Sequence, residues 1–104
     1  MKEYEESQNR FPLSGLPPSE YRSHARSDAE YRCAEIALAL GEPDMRFILA
    51  RLHQFDGNMH PLDEAYSEVK DAIRRRKCLS PRKLFNYLTS QKLRKYQQAK
   101  ARDG

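Results

Sequence analysis

Apolar residues at helical spacing, interrupted by glycine and proline, most constrain what this chain can fold into. Between Gly41 and Gly57 the apolar residues recur three and four positions apart, and Pro43 closely follows the first glycine. Proline fits the first turn of a helix, and glycine often ends one because it adopts the left-handed conformation without steric cost. No stretch alternates polar and apolar residues in the manner of a half-buried strand. The sequence therefore predicts an all-α fold.

The same signals predict a compact bundle of about four helices. A chain of 104 residues would form one domain at most. The first helix starts at about residue 19 or residue 27 and ends at Leu40, and the second covers about 43–55. The third covers about 61–76, and the fourth starts at Pro81 and weakens beyond Ser90. Their expected buried residues are Ala29, Cys33, Ile36, Ala37, Leu40, Met45, Ile48, Leu49, Leu52, Phe55, Leu62, Ala65, Tyr66, Val69, Ala72, Ile73, Leu84, Phe85 and Leu88.

Both ends of the chain depart from the helical pattern. Residues 1–18 predict an extended or flexible N-terminal arm, because three prolines and a glycine in its second half exclude a regular helix. This arm would lie on its own domain or, as the alternative, on a partner. Residues 19–96 then form a single helical domain, and 97–104 form a frayed basic tail.

Charge is distributed unevenly along the chain. Residues 1–60 hold seven Lys and Arg against ten Asp and Glu, a net charge of −3. Residues 61–104 hold twelve against five, a net charge of +7, and between Lys70 and Arg102 the one acidic residue is Asp71. A basic half raises the encounter rate with phosphates or acidic surfaces. The asymmetry predicts a negatively charged partner.

The spacing of reactive side chains argues against catalysis and metal binding. Cys33 and Cys78 are 45 positions apart, and His24, His53 and His60 share no close spacing with them or with each other. Metal sites usually include close ligand pairs, and the chain has no glycine-rich phosphate loop or hydrolase motif. We therefore expect no enzyme, metal or cofactor. The chain also lacks a signal-type start and a long apolar run, so a cytoplasmic location without membrane insertion is expected.

The basic segment around Pro81 predicts a helix-turn-helix-like C-terminal half that binds double-stranded DNA. In such a motif the start of the second helix reaches base edges in the major groove. Arg82, Lys83, Asn86 and Ser90 fall opposite the buried face of that helix, and Arg and Asn pair well with guanine and adenine edges. The surrounding cations would bind phosphates. The predicted nucleic-acid-binding residues are Arg74, Arg75, Arg76, Lys77, Ser80, Arg82, Lys83, Asn86, Tyr87, Ser90, Lys92, Arg94 and Lys95.

Other interpretations of the basic segment remain open. Cations at the C-terminus of a helix complement its dipole without any ligand. Exposed Arg and Tyr also favour protein interfaces. The main alternative is therefore a small phage or mobile-element-type protein that binds and inhibits or bridges another protein, one with an acidic surface. RNA binding is a third possibility. Sequence-specific DNA binding by so short a motif would favour a homodimer on a two-fold site.

Two segments resemble the antidote (antitoxin) proteins of addiction modules that carry a Cro-like helix-turn-helix. The first is "GEPDMRFILARLHQFDG", residues 41–57, which is similar to the stretch before the DNA-binding motif of that family. The second is "LSPRKLFNYLTS", residues 79–90, which is similar to its recognition-helix segment. The resemblance implies transcription regulation, and it implies Ser80, Arg82, Lys83 and Asn86 as DNA contacts.

Overall fold

A computed structural model describes residues 13–103, which contain α-helices and no strand. The predicted all-α fold is confirmed. Among these residues there are five α-helices, and short 3₁₀ turns lie on either side of the first one. The helices are α1 (Pro18–Tyr21), α2 (Asp28–Leu40), α3 (Arg46–Gln54), α4 (His60–Arg74) and α5 (Pro81–Asp103). None of the helices in this part of the chain combines the length and apolar composition needed to cross a bilayer.

The sequence predicted about four helices, and the fifth is the single turn α1. It is separate from α2 because the chain leaves helical geometry before Ser27. The Ser27 hydroxyl accepts a hydrogen bond from the Glu30 amide, 3.1 Å away, and the Glu30 carboxylate accepts one from the Arg26 amide at 2.8 Å. These bonds satisfy amides at the start of α2 that have no partner within the helix. Of the predicted N-terminal arm, residues 1–12 lie outside the described residues, and the rest includes the 3₁₀ turn Leu13–Gly15.

The described residues divide into two units, 13–50 and 51–103. In the first, Cys33, Ile36, Ala37 and Leu40 of the predicted apolar stripe are buried and Ala29 is half-buried, and Gly41 ends α2 with φ +80°. Burial raises the pKa of the Tyr21 hydroxyl to about 12, with a further contribution from the Glu30 carboxylate. The Met45 amide donates a hydrogen bond of 2.8 Å to the Ser14 carbonyl, which connects the first 3₁₀ turn to the start of α3.

The sequence placed the start of α3 at Pro43, but the helix begins three residues later, at Arg46. The Asp44 carboxylate accepts a hydrogen bond from the Arg46 amide at 2.9 Å, so the side chain substitutes for a helical carbonyl. The first backbone bond of this helix joins the Leu49 amide to the Met45 carbonyl at 3.0 Å. Proline and aspartate therefore precede α3 and do not form its first turn.

The second unit contains α4 and α5, which lie antiparallel. Near the turn, Ala72 of α4 lines the same groove as Leu88 of α5. Further away, Lys92 pairs with Glu68 at 2.9 Å and with Glu64 at 3.6 Å. Residue numbers therefore rise along α5 as they fall along α4, which is the geometry of an αα-hairpin. Two helices joined by a turn are what the sequence predicted for this half of the chain.

The hairpin turn is longer than the four residues expected, because α4 ends at Arg74. The Lys77 amide donates to the Ala72 carbonyl at 2.9 Å, and the Arg76 amide donates to the Ile73 carbonyl at 3.0 Å. This pair of bonds is the Schellman motif, which uses a left-handed residue just past the helix end. Arg76 has that conformation, with φ +58°. A side chain with a Cβ therefore occupies a position that favours glycine.

Replacing Arg76 by glycine should stabilise the protein. The substitution removes the clash between Cβ and carbonyl that left-handed geometry imposes, and we expect the free energy of unfolding to rise by about 1 kcal/mol. Thermal or urea unfolding measures the change. Arg76→Ala, which removes the charge but keeps Cβ, should give no such gain, and Arg75→Gly, at φ −85°, should lower stability. Equal effects of glycine at both positions would contradict the interpretation.

Candidate nucleic-acid interface

A stripe of exposed residues runs along α5. Lys83, Tyr87, Ser90 and Arg94 are spaced four, three and four residues apart, which places them on one side of the helix. Lys83, Tyr87 and Arg94 are exposed, and Ser90 is half-buried at the edge. Lys83 and Arg94 are about 17 Å apart along the helix axis at 1.5 Å per residue. With Arg76 and Lys77 of the turn, these residues define a surface that we call the basic face.

Several of the predicted nucleic-acid-binding residues are cations without an ion pair to another residue in 13–103. Five of them are exposed and form no ion pair with any other residue in 13–103, namely Arg76, Lys77, Lys83, Arg94 and Lys95. Lys95 and the exposed Arg82 lie to either side of the basic face on α5. Ser80 accepts a long hydrogen bond of 3.4 Å from the Lys83 amide, and the Tyr87 hydroxyl accepts one from Gln91 at 2.8 Å.

Two arginines at the end of α4 share one carboxylate. Arg75 Nε lies 3.2 Å and Arg74 Nη2 lies 3.6 Å from the oxygens of Asp71, one turn earlier on the helix. All three side chains are substantially exposed, and such pairs stabilise a protein by at most about 1 kcal/mol. Asp71 therefore reduces the positive charge near the turn without holding either arginine firmly.

Lys92 has a structural role in the hairpin. Its ammonium group lies between Glu68 and Glu64 of α4, and its side chain is mostly buried, with 26% exposed. The hydrogen bond to Glu68 raises the pKa of Lys92, because the carboxylate favours the charged form. This predicted phosphate contact therefore connects the two helices.

Arg51, which was not among the predicted site residues, binds three side chains of α5. Its Nη2 donates to Asn86 Oδ1 at 2.7 Å and to the Ser90 hydroxyl, and its Nε donates to Thr89 Oγ1 at 3.2 Å. Burial lowers the pKa of Arg51, which is the effect of desolvating a cation. Thr89 is completely buried, and its hydroxyl donates to the Phe85 carbonyl at 2.8 Å. No local spacing in the sequence indicated a contact over 35 positions.

These bonds change what Asn86 and Ser90 can do. An Asn reads adenine by accepting from the N6 amino group with Oδ1 while its amide donates to N7. In this structure Oδ1 of Asn86 already accepts from Arg51. The two polar residues selected as base readers therefore serve as acceptors for a half-buried guanidinium.

A second set of side chains fixes the C-terminal part of α5. The Tyr96 hydroxyl donates to Asp56 at 2.6 Å, Lys100 donates to the same carboxylate oxygen at 2.8 Å, and the Tyr96 ring contacts Phe55. Hydrogen bonds from Lys100 and then Tyr96 lower the pKa of Asp56. Helix α5 continues to Asp103, so the residues predicted as a frayed tail include part of this helix.

A double-mutant cycle between Arg51→Met and Asn86→Ala tests whether Asn86 is structural. Because a hydrogen bond to a charged group contributes more than a neutral one, we expect a coupling of about 1 kcal/mol or more in the free energy of unfolding. The control cycle pairs Arg51→Met with Gln91→Ala, since Gln91 bonds Tyr87. That cycle should give a coupling near zero. Additive effects of Arg51→Met and Asn86→Ala would show that the bond contributes nothing.

The Asp56 carboxylate predicts a specific dependence of stability on pH. Its pKa is lower in the folded state than the ordinary value of 3.8, so this contribution is present above pH 3.8 and is lost as the pH falls through the folded pKa. The wild type should therefore lose stability between pH 4 and lower pH more steeply than Asp56→Asn does. Urea unfolding at a series of pH values measures both slopes. Equal slopes would mean that Asp56 has the same pKa in both states.

Comparisons with known proteins add no family to this description. No protein-family model matches the chain, and neither the curated proteins nor the solved structures include a match to it. The resemblance to addiction-module antidotes therefore stays a prediction, and the candidate interface rests on the geometry of the second unit.

Proposed function

We propose that this protein binds the phosphate backbone of double-stranded DNA through the basic face of α5 and the preceding turn. The observation that supports this most is the row of exposed cations, Arg76, Lys77, Lys83 and Arg94, which have no carboxylate partner among residues 13–103. Lys83 and Arg94 lie on one side of α5, Arg76 and Lys77 lie in the turn before it, and each contact of such an exposed cation with a phosphate releases counterions. The distance of about 17 Å from Lys83 to Arg94 is about half of the helical repeat of B-form DNA.

The binding proposed here depends little on base sequence. Asn86 and Ser90 already accept hydrogen bonds from Arg51, so these polar groups of α5 are committed within the protein. Phosphate contacts position a protein on DNA, whereas contacts with base edges specify sequence. A regulatory role at a defined operator, as the antidote resemblance implies, would need base contacts from other residues or from a partner. The protein would therefore act by occupying the duplex, held there by contacts between its cations and the phosphates.

The test is a titration of fluorescent random-sequence duplex with the protein, followed by anisotropy at low and at moderate salt. The wild type should bind, and its affinity should fall steeply as salt rises. Lys83→Gln/Arg94→Gln should weaken binding and should reduce the slope of log affinity against log salt by about 1.8, because two phosphate contacts are lost. Asp71→Asn, which leaves Arg74 and Arg75 without their shared carboxylate, should strengthen binding.

The matched control for this titration is Arg22→Gln/Arg26→Gln, which removes the same charge from exposed positions of the first unit. Its affinity should stay close to that of the wild type. Equal losses in the two double variants would indicate general attraction by net charge, and absence of binding at low salt would overturn the proposal.

A second candidate function is supported by a groove between α4 and α5 near the turn. Its apolar floor includes Ala72, Leu84 and Leu88, and its volume is about 560 Å³. Arg74, Arg75 and Lys77 lie at its edge with Glu68 and Asp71. An apolar side chain from an acidic protein segment fits this combination of floor and charge. Binding of that kind would bury apolar surface and depend less on salt than DNA binding does.

A further inference from the structure

The most exposed large apolar side chain among residues 13–103 is Leu79, at the tip of the hairpin. Its relative exposure is 104%, so it makes essentially no contact that shields it from water. Its neighbours Cys78 and Ser80 are both half-buried. The turn therefore directs a leucine into solvent while the residues before and after it lie against the protein.

The backbone on both sides of Leu79 is held by hydrogen bonds. Before it, the Schellman motif fixes the end of α4 through the bonds of Arg76 and Lys77. After it, the Ser80 carbonyl accepts the first helical bond of α5 from the Leu84 amide at 3.0 Å. Pro81 restricts its own φ and disfavours helical geometry at Ser80. Leu79 is thus presented in a defined position.

Cations surround this leucine in the sequence. Within five positions, four cations precede Leu79, namely Arg74, Arg75, Arg76 and Lys77. Two follow it, Arg82 and Lys83. A partner attracted to this end of the hairpin is therefore anionic. Leu79 gains free energy on binding only where that partner offers apolar surface beside its charges. Nucleic acids do so where bases are unstacked, and apolar side chains insert at such steps in other DNA-binding proteins.

We infer that Leu79 contacts unstacked bases and that the protein prefers duplexes with unpaired bases to regular duplexes. This inference rests on the proposed function, because the cations must first hold the phosphate backbone. In regular B-form DNA the base faces are stacked on each other, so Leu79 would contact only groove edges. At a bulge the faces are accessible at little cost, and the leucine side chain loses its contact with water.

The experiment compares a regular duplex with the same duplex carrying a two-base bulge. The wild type should bind the bulged duplex more tightly, and Leu79→Ser should weaken that binding roughly fivefold by losing part of the burial of a leucine. Binding to the regular duplex should change much less. Leu38→Ser is the matched control, since Leu38 is an exposed leucine of α2 with 46% relative exposure. Unchanged melting temperatures would establish that each variant is folded.

The outcomes separate this inference from the proposed function. Equal wild-type affinity for the two duplexes, or unchanged binding of Leu79→Ser to the bulge, would overturn the role of Leu79 while phosphate binding stands. Failure of the wild type to bind either duplex would overturn the proposed function itself. Vesicles of phosphatidylserine provide a further comparison. If Leu79→Ser lost affinity for the vesicles and kept its affinity for the bulge, Leu79 would be a lipid contact and the inference would be wrong.

Discussion

The hydrogen bonds of Arg51 are the interaction on which the second unit depends. A half-buried guanidinium is costly unless its N–H groups find acceptors, and α5 supplies three of them in Asn86, Thr89 and Ser90. These residues lie within about one turn of one another. The guanidinium of Arg51 can bond all three only when α5 has one particular rotation about its axis. With that rotation fixed, Lys83 and Arg94 face solvent, and Phe85 and Leu93 are buried. The orientation of the basic face thus depends on the contact with Arg51, in which its edge residue Ser90 takes part.

Much of the helical architecture could be predicted because its causes are local. Apolar periodicity and the glycine at position 41 indicated α2, and its stripe from Cys33 to Leu40 is buried as expected. The start of α3 could not be placed from composition, since it depends on whether the Asp44 side chain accepts the bond that a carbonyl would otherwise accept. Ile73 was expected in the core and is 48% exposed, whereas the polar Thr89 is buried with its hydroxyl satisfied. Such outcomes depend on partners that are distant along the chain.

The positive charge of the candidate site could be predicted from the sequence, but not which of its cations pair with carboxylates. Residue type alone cannot separate a cation that binds a ligand from one that holds the fold together. In the structure Lys92 pairs with two carboxylates of α4, whereas Arg74 and Arg75 share the single carboxylate of Asp71 in exposed pairs. Past the helix end, Arg76 and Lys77 have no such carboxylate among the described residues. The helix dipole favours cations only within the last turn of α4, and Arg76 and Lys77 lie beyond that turn.

The six-residue link between α4 and α5 also bears on how the second unit folds. Closing a short loop costs little chain entropy, so contacts between Ala72 and the first turns of α5 are reached early and at low cost. The bonds of Arg51 to Asn86 and of Asp56 to Tyr96 span 35 and 40 positions, and they form readily only after the hairpin has brought the helices together. We therefore expect this unit to fold from the turn outward. The mainly local contacts of such a hairpin are typical of proteins that fold in microseconds to milliseconds.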